Sequence, residues 1–202
     1  MKKQRVFITG ATGTMGLASL KKMLKDSDKQ DIVILSLDTE RDRKILKPYQ
    51  NKKGLKIIWG DLTDYDIVLK CVKGCDIILH IAAFVSPAAD YHPKQAMKIN
   101  YGSTRNLINA IYELGQENHT RFVYIGTVAE TGDRMPPIHW GRVGDPIKPS
   151  IFDYYAVSKV AAERLVIESG LRYWVSLRQT GIIGKAMSEI DDAIIFHNCF
   201  DN

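Results

Sequence analysis

A chain of 202 residues that is 45% hydrophobic and 25% charged has the material for one domain with a substantial core. Its net charge of +5 is scattered over several segments, with no basic run interleaved with aromatics. Composition therefore gives no motive for nucleic acid binding and suits an anionic small molecule equally well. Three cysteines imply no disulfide framework, and Cys71 and Cys75 lack a second Cys/His pair at metal spacing, so no metal site is expected.

The basic N-terminus leads into only Val6-Phe7-Ile8, too short for a signal peptide. The longest apolar run, Ile77 to Val85, carries His80 and is far short of a membrane span. A cytoplasmic protein without membrane partners is the expectation.

Arg5-Val6-Phe7-Ile8 reads as a first strand, running into the turn Thr9-Gly10-Ala11-Thr12-Gly13-Thr14-Met15-Gly16 and a helix from Leu17 to Lys25. A second buried strand, Asp31 to Leu37, ends at Asp38. Arg41–Gln50 is a charged helical stretch, Leu55–Trp59 a third strand, Tyr65–Val72 a helix with one apolar face, and Asp76–Ile81 a fourth strand. Lys94 to Glu117 is the longest helical pattern, Arg121–Gly126 a fifth strand, Asp153 to Ser169 a helix with Asp153 as its cap, and Arg172–Leu177 a sixth strand. Residues 132–149 are rich in Pro and Gly and too long for an ordinary connection, which marks a functional or mobile loop. Strict β/α alternation predicts an α/β domain with a doubly wound parallel sheet and helices on both faces.

Two patterns carry chemistry. Gly10, Gly13 and Gly16 sit between a strand and a helix, where unpaired first-turn amides and the helix dipole favour a pyrophosphate. Asp38, at the end of the second strand, stands where a carboxylate accepts hydrogen bonds from an adenosine ribose, which favours NAD over NADP. Nearby Arg41 and Arg43 blur that preference. The second pattern is Tyr155-Ala156-Val157-Ser158-Lys159: residues four apart share a helix face. A neighbouring ammonium lowers a phenol's pKa toward the range where acid–base catalysis is efficient.

Together these residues resemble the short-chain dehydrogenase/reductase superfamily, in its extended branch, the NAD-dependent epimerase/dehydratase family. The resemblance runs through nearly the whole chain. Thr9 to Gly16, with Thr14 and Met15, matches the phosphate turn, and Gly60-Asp61-Leu62-Thr63-Asp64 the adenine-contacting segment. His80-Ile81-Ala82-Ala83 matches the stretch lying along the cofactor, and Ile99-Asn100-Tyr101 brings the family's asparagine near it. Thr127 takes the place of the catalytic Ser/Thr, Tyr155 that of the acid/base and Lys159 that of its partner. Leu177 to Gly184 resembles the segment near the nicotinamide. Gln179 stands where proline is usual, Ser103 where glycine is common, and Thr131-Gly132 where Tyr-Gly is usual; none of these removes a catalytic group.

The resemblance implies a Rossmann fold over residues 1–186 and the start of a truncated or reduced substrate portion at 187–202, with the family's C-terminal substrate domain largely absent. It further implies a transient hydride transfer to NAD, with Lys159 on the nicotinamide ribose, Tyr155 as acid/base and Thr127 orienting the substrate hydroxyl. A nucleotide-sugar epimerase is the expected activity. Dehydration is disfavoured, because Val128-Ala129 follow Thr127 where dehydratases tend to carry Asp-Glu. A reductase of a small ketone or aldehyde, and a non-catalytic dinucleotide sensor, stay open as alternatives. Arg134, His139, Trp140 and Arg142 are read equally as substrate contacts and as ordinary loop residues. Homodimerisation through the two long helices, about 94–117 and 153–169, is the implied assembly.

Overall fold

A computed structural model describes residues 3–132 and 144–182. Six strands run in chain order: β1 (Gln4–Thr9), β2 (Gln30–Ser36), β3 (Leu55–Trp59), β4 (Ile77–His80), β5 (Arg121–Thr127) and β6 (Tyr173–Gln179). They form one sheet in the order β3-β2-β1-β4-β5-β6, and every neighbouring pair is parallel. This is the doubly wound dinucleotide-binding order, in which the winding reverses between β1 and β4. The predicted Rossmann-type sheet is the one observed.

Alternation along the strands decides which helices cover which face, because successive side chains point to opposite sides. Val6, Ile8, Ile32 and Ile34 pack on one side with Leu20 of α1 (Thr14–Met23) and Leu46 of α2 (Glu40–Leu46). Phe7, Val33, Leu35, Ile78, Phe122 and Tyr124 point to the other side. There they meet α3 (Tyr65–Val72), α6 (Gly102–Glu113) and α7 (Tyr154–Ile167) through Val68, Leu107, Ile111, Ala162 and Val166. Val175 and Leu177 of β6 remain 41% and 42% exposed. Among the described residues β6 is an edge strand, which accounts for that exposure.

The cap read from the sequence is present: Asp153 accepts from Ala156 N–H at 2.8 Å. Asp64 caps α3 in the same way, accepting from Ile67 N–H at 3.2 Å. The long helical pattern expected over 94–117 is interrupted instead. After the short α4 (Ala88–Tyr91), it comprises α5 (Pro93–Ala96), a wide π turn at Met97–Tyr101 and α6. That turn carries Asn100, which is buried and bonded both ways to the Phe84 backbone, by Phe84 N–H to Oδ1 at 2.7 Å and by Nδ2 to Phe84 O at 3.0 Å. A widened turn next to a side chain recruited by a neighbouring loop is a common use of such bulges. Cys71 lies in α3 and Cys75 just before β4, both reduced and buried, with their thiols pushed up by burial to about 12 and about 11.

No helix among the described residues is long and apolar enough to cross a membrane. The expected boundary near residue 186 lies outside the described residues, as do Arg134, His139, Trp140 and Arg142 of the long loop.

Candidate active site

The carboxyl ends of the parallel strands open into a cleft of about 1010 Å³ at the β1/β4 switch point. Its floor at one end is the glycine turn. Gly10 has φ 70°, and a Cβ there would come within 2.7 Å of Ala82 N. At Gly16 a Cβ would fall 2.0 Å from Gly10 O, so strand turn and helix touch backbone to backbone. A Cβ on Gly13 would meet only Gly10 O at 3.5 Å and would otherwise enter the cleft. Gly13 caps α1 without a side-chain hydrogen bond, and Thr14, Met15 and Gly16 of the first turn line the cleft. Open space above glycines, with the first-turn amides of a helix beside it, fits a dinucleotide pyrophosphate.

Asp61, Leu62, Ile81, Ala82 and Ala83 line the same cleft. Asp38 does not. Its carboxylate is exposed and gripped by the Arg43 guanidinium through Nε and through Nη2 at 2.8 Å, and Arg43 in turn lies 4.6 Å over the Trp59 ring. Arg43 holds the Asp38 carboxyl below its ordinary range. Leu37, Arg41 and Asp42 are the residues after β2 that face the cleft. Asn100 sits behind the wall rather than in it: Ile99 faces the cleft, while Asn100 Nδ2 donates to Ser158 Oγ at 2.8 Å.

Thr127 and Tyr155 face the cleft from its other end, at the tip of β5 and the first turn of α7. Tyr155 departs from expectation. Burial pushes its phenol up to about 12; a hydrogen bond with Thr127 opposes this, while Glu130 and Asp153 reinforce it. The predicted lowering by Lys159 is not seen, for a geometric reason. Lys159 Nζ donates to Ile125 O at 2.6 Å and lies 4.1 Å over the Tyr124 ring, and its side chain is buried. Burial brings Lys159 itself down to about 8, against the pull of Glu130 and Glu163.

Two features extend beyond the residues singled out for catalysis or cofactor binding. Beneath the catalytic end is a buried charged group of Glu130, Glu163 and Lys159, with Arg178 at its edge. Arg178 Nη2 donates to Glu163 at 2.9 Å and its Nε lies 3.3 Å from Glu130. The spacing Thr127-Val128-Ala129-Glu130 is a capping-box pattern legible in sequence, and both of its reciprocal bonds are present. The second feature is a chain of buried hydrogen bonds from the glycine turn to Tyr155. Thr9 Oγ1 accepts from Ile81 and Ala82 N–H at 3.1 Å and meets His80 Nδ1 at 2.9 Å. His80 Nε2 lies 2.9 Å from Thr104 Oγ1, which donates to Asn100 O at 2.8 Å. Since the Thr104 proton is spent on Asn100, Nε2 carries the imidazole proton and Nδ1 accepts from Thr9. Burial, with Lys159 nearby, holds His80 neutral by bringing its pKa down to about 3. Ser158 closes the chain by donating to Tyr155 O at 2.8 Å. No group of three or more His, Cys, Asp or Glu among the described residues is placed to hold a metal ion.

Known proteins are similar to this chain in sequence and in fold. The chain is 28% identical over 195 residues to the "3 beta-hydroxysteroid dehydrogenase/Delta 5-->4-isomerase" of Vaccinia virus (strain Copenhagen), covering 88% of this chain and 52% of that protein. A protein of the same description from Mycobacterium tuberculosis (strain ATCC 25618 / H37Rv) is 29% identical over 208 residues, covering 98% of this chain and 51% of the relative. The chain thus spans about half the length of the curated relatives it matches. In fold it is similar to UDP-glucose 4-epimerase from Thermus thermophilus, solved with NAD, at TM-score 0.77 and 24% identity over 96% of this chain and 61% of that one. The model of the NAD dependent epimerase/dehydratase family matches residues 6–197. By that match, which spans the sheet, the glycine turn and the Tyr155 helix alike, the chain belongs to the NAD dependent epimerase/dehydratase family.

Proposed function

We propose that this chain forms the NAD-binding and acid–base half of an oxidoreductase-type enzyme that interconverts a secondary alcohol and its ketone. The observation that carries the reading is that Thr127 and Tyr155 share one cleft with the glycine turn. Gly10–Gly16 would hold the pyrophosphate, with Asp61 and Leu62 at the adenine and Ile81, Ala82 and Ala83 along the middle. NAD, when bound, supplies the hydride-accepting ring. Tyr155, with its pKa raised to about 12, keeps its proton at neutral pH and is set to donate it to a carbonyl oxygen. Taking a proton in the reverse direction needs a cation nearby, and Lys159 stands one helical turn along α7. Thr127 bonds the same phenol and orients it toward the substrate oxygen.

Within this class we favour nucleotide-sugar epimerisation. Dehydration remains disfavoured: Val128 is exposed, and Glu130 turns inward to Thr127 N–H instead of entering the cleft. The relatives described as hydroxysteroid dehydrogenases favour a second reading, simple dehydrogenation of an alcohol such as a hydroxysteroid. The remaining substrate contacts and a homodimer through α6 and α7 belong to the same proposal. The test is to mix the protein with NAD or NADH and a panel of UDP-sugars, hydroxysteroids and small ketones, following reduced nicotinamide absorbance and sugar epimers. Tyr155→Phe is expected to lower turnover by about 10²–10⁴-fold with NAD affinity kept. Undiminished turnover in that variant, or NAD binding with no turnover on any substrate, would sink the assignment.

A further inference from the structure

Glu130, at the catalytic end, is fully buried yet does not face the cleft. Its Oε1 accepts from Thr127 N–H at 3.1 Å, which pins the backbone of the residue that bonds Tyr155. The approach is close, since a Cβ on Gly126 would lie 3.1 Å from the same oxygen. The Arg178 guanidinium edge lies 3.3 Å from its Oε2, and the Glu163 carboxyl faces it. A capping glutamate ordinarily faces solvent, where its charge costs little. Here the carboxylate has been taken into the interior, a placement that costs several kcal/mol for an unpaired ion.

The groups that face it are few. Lys159, Glu163 and Tyr155 come from α7, Arg178 from β6 and Tyr124 from β5. Hydrogen bonds with Glu130, Arg178 and Ser176 hold Glu163 ionised against its burial, the Glu130 carboxyl carrying the proton between the two. Lys159 has no carboxylate in direct contact, being bonded to Ile125 O.

We propose that Glu130 is a positioning residue: it holds the Thr127 turn from behind the cleft, so that its own protonation governs how Thr127 is presented to Tyr155. The idea rests on the catalytic assignment of Thr127 and Tyr155, but its structural half can be read without turnover. Burial and the Glu163 carboxyl push Glu130 up to about 8, and burial brings Lys159 down to about 8, so both titrate within the working range. A carboxyl raised from 4.5 in the unfolded chain to about 8 binds its proton more tightly in the native state. Its contribution to stability is therefore full below pH about 4.5 and is lost as pH rises toward 8.

The test begins with the unaltered protein. Two-dimensional amide NMR should show the Thr127 N–H, bonded to Glu130, shifting with a midpoint well above the ordinary carboxylate range. Glu130→Gln should abolish or displace that transition while keeping the Thr127 bond. The urea midpoint of the unaltered protein should fall relative to that of E130Q between pH 5 and 8. In turnover assays E130Q should move a limb of the pH–rate profile by about one unit, equivalent to a tenfold change at that pH, with little change in NAD affinity. A Thr127 amide that does not move between pH 5 and 9 in the unaltered protein would overturn the proposal, even if E130Q failed to fold. Parallel stability curves for the two proteins would overturn it as well. Full turnover by Tyr155→Phe, by contrast, would strike at the catalytic reading and leave the Thr127 titration as it is.

Discussion

At the dinucleotide end of the cleft, Gly10, Gly13 and Gly16 bring backbone onto backbone, and no ionised side chain is needed to hold the turn. At the other end, Thr127 and Tyr155 rest on Glu130, Glu163, Lys159 and Arg178, three of them almost fully buried. One end is steric and should be indifferent to pH; the other is electrostatic and should respond to it. The difference follows from what each end must do. Recognising a pyrophosphate takes unpaired N–H groups and space, which glycine and a helix terminus supply. Moving a proton takes groups whose pKa values have been displaced, which only burial and neighbouring charge can arrange.

The sharpest way to break this comparison is at the steric end. Gly16→Ala sets a methyl 2.0 Å from Gly10 O, where neither backbone can retreat. Overpacking of this kind costs about 1–3 kcal/mol or more, so a clear drop in urea midpoint with loss of NADH fluorescence enhancement is expected. Gly13→Ala should instead leave the urea midpoint nearly unchanged and still weaken NADH, because its methyl meets open cleft. If both variants bound NADH normally, the backbone-built reading of this end would fail.

His80 lies at the tip of β4, and its hydrogen-bond chain links the two ends. His80→Phe removes the partner of the Thr9 hydroxyl at a cost of about 1–3 kcal/mol. The pH dependence sharpens the point. Because the folded pKa of His80 lies near 3 against 6.5 unfolded, protonation favours the unfolded chain as pH falls below 6.5. The stability gap between the unaltered protein and His80→Phe should therefore narrow on acidification, readable from urea midpoints between pH 7 and 4. A gap independent of pH would mean that His80 is not held neutral. The smallest effect is expected at the exposed Asp38–Arg43 pair. Arg43→Ala should leave the urea midpoint unchanged, since exposed ion pairs contribute little. It should return the Asp38 carboxyl upward toward its ordinary range, measurable by carboxyl NMR. A drop in stability there would show that Arg43 over Trp59 matters more than exposure suggests.

Much of this is legible in the residue order. Strand–glycine–helix at Arg5–Lys25 predicts the turn, and the β/α alternation predicts the sheet, because both depend on short-range periodicity and on glycine's lack of a Cβ. Asp153 announces its cap for the same local reason. Sequence and structure part where a side chain has a choice of partners. Position alone assigns Asp38 to a ribose, but a guanidinium five residues along the chain takes it first. Helical spacing assigns Lys159 to lowering the Tyr155 pKa, but the Ile125 carbonyl and the Tyr124 ring receive it, and burial raises the phenol instead.

By itself the sequence determined the doubly wound sheet, the glycine turn and the order in which Thr127, Tyr155 and Lys159 appear, since periodicity and helical spacing are properties of neighbouring residues. Only the tertiary structure decided that Glu130 turns inward beneath Thr127, that Arg178 comes from β6 to meet it, and that His80 joins Thr9 to Thr104 across 71 and 24 residues of chain. Desolvation acts on whatever the fold happens to enclose. The protonation of a buried group is therefore set by neighbours brought from other elements, and no local pattern in the chain records them.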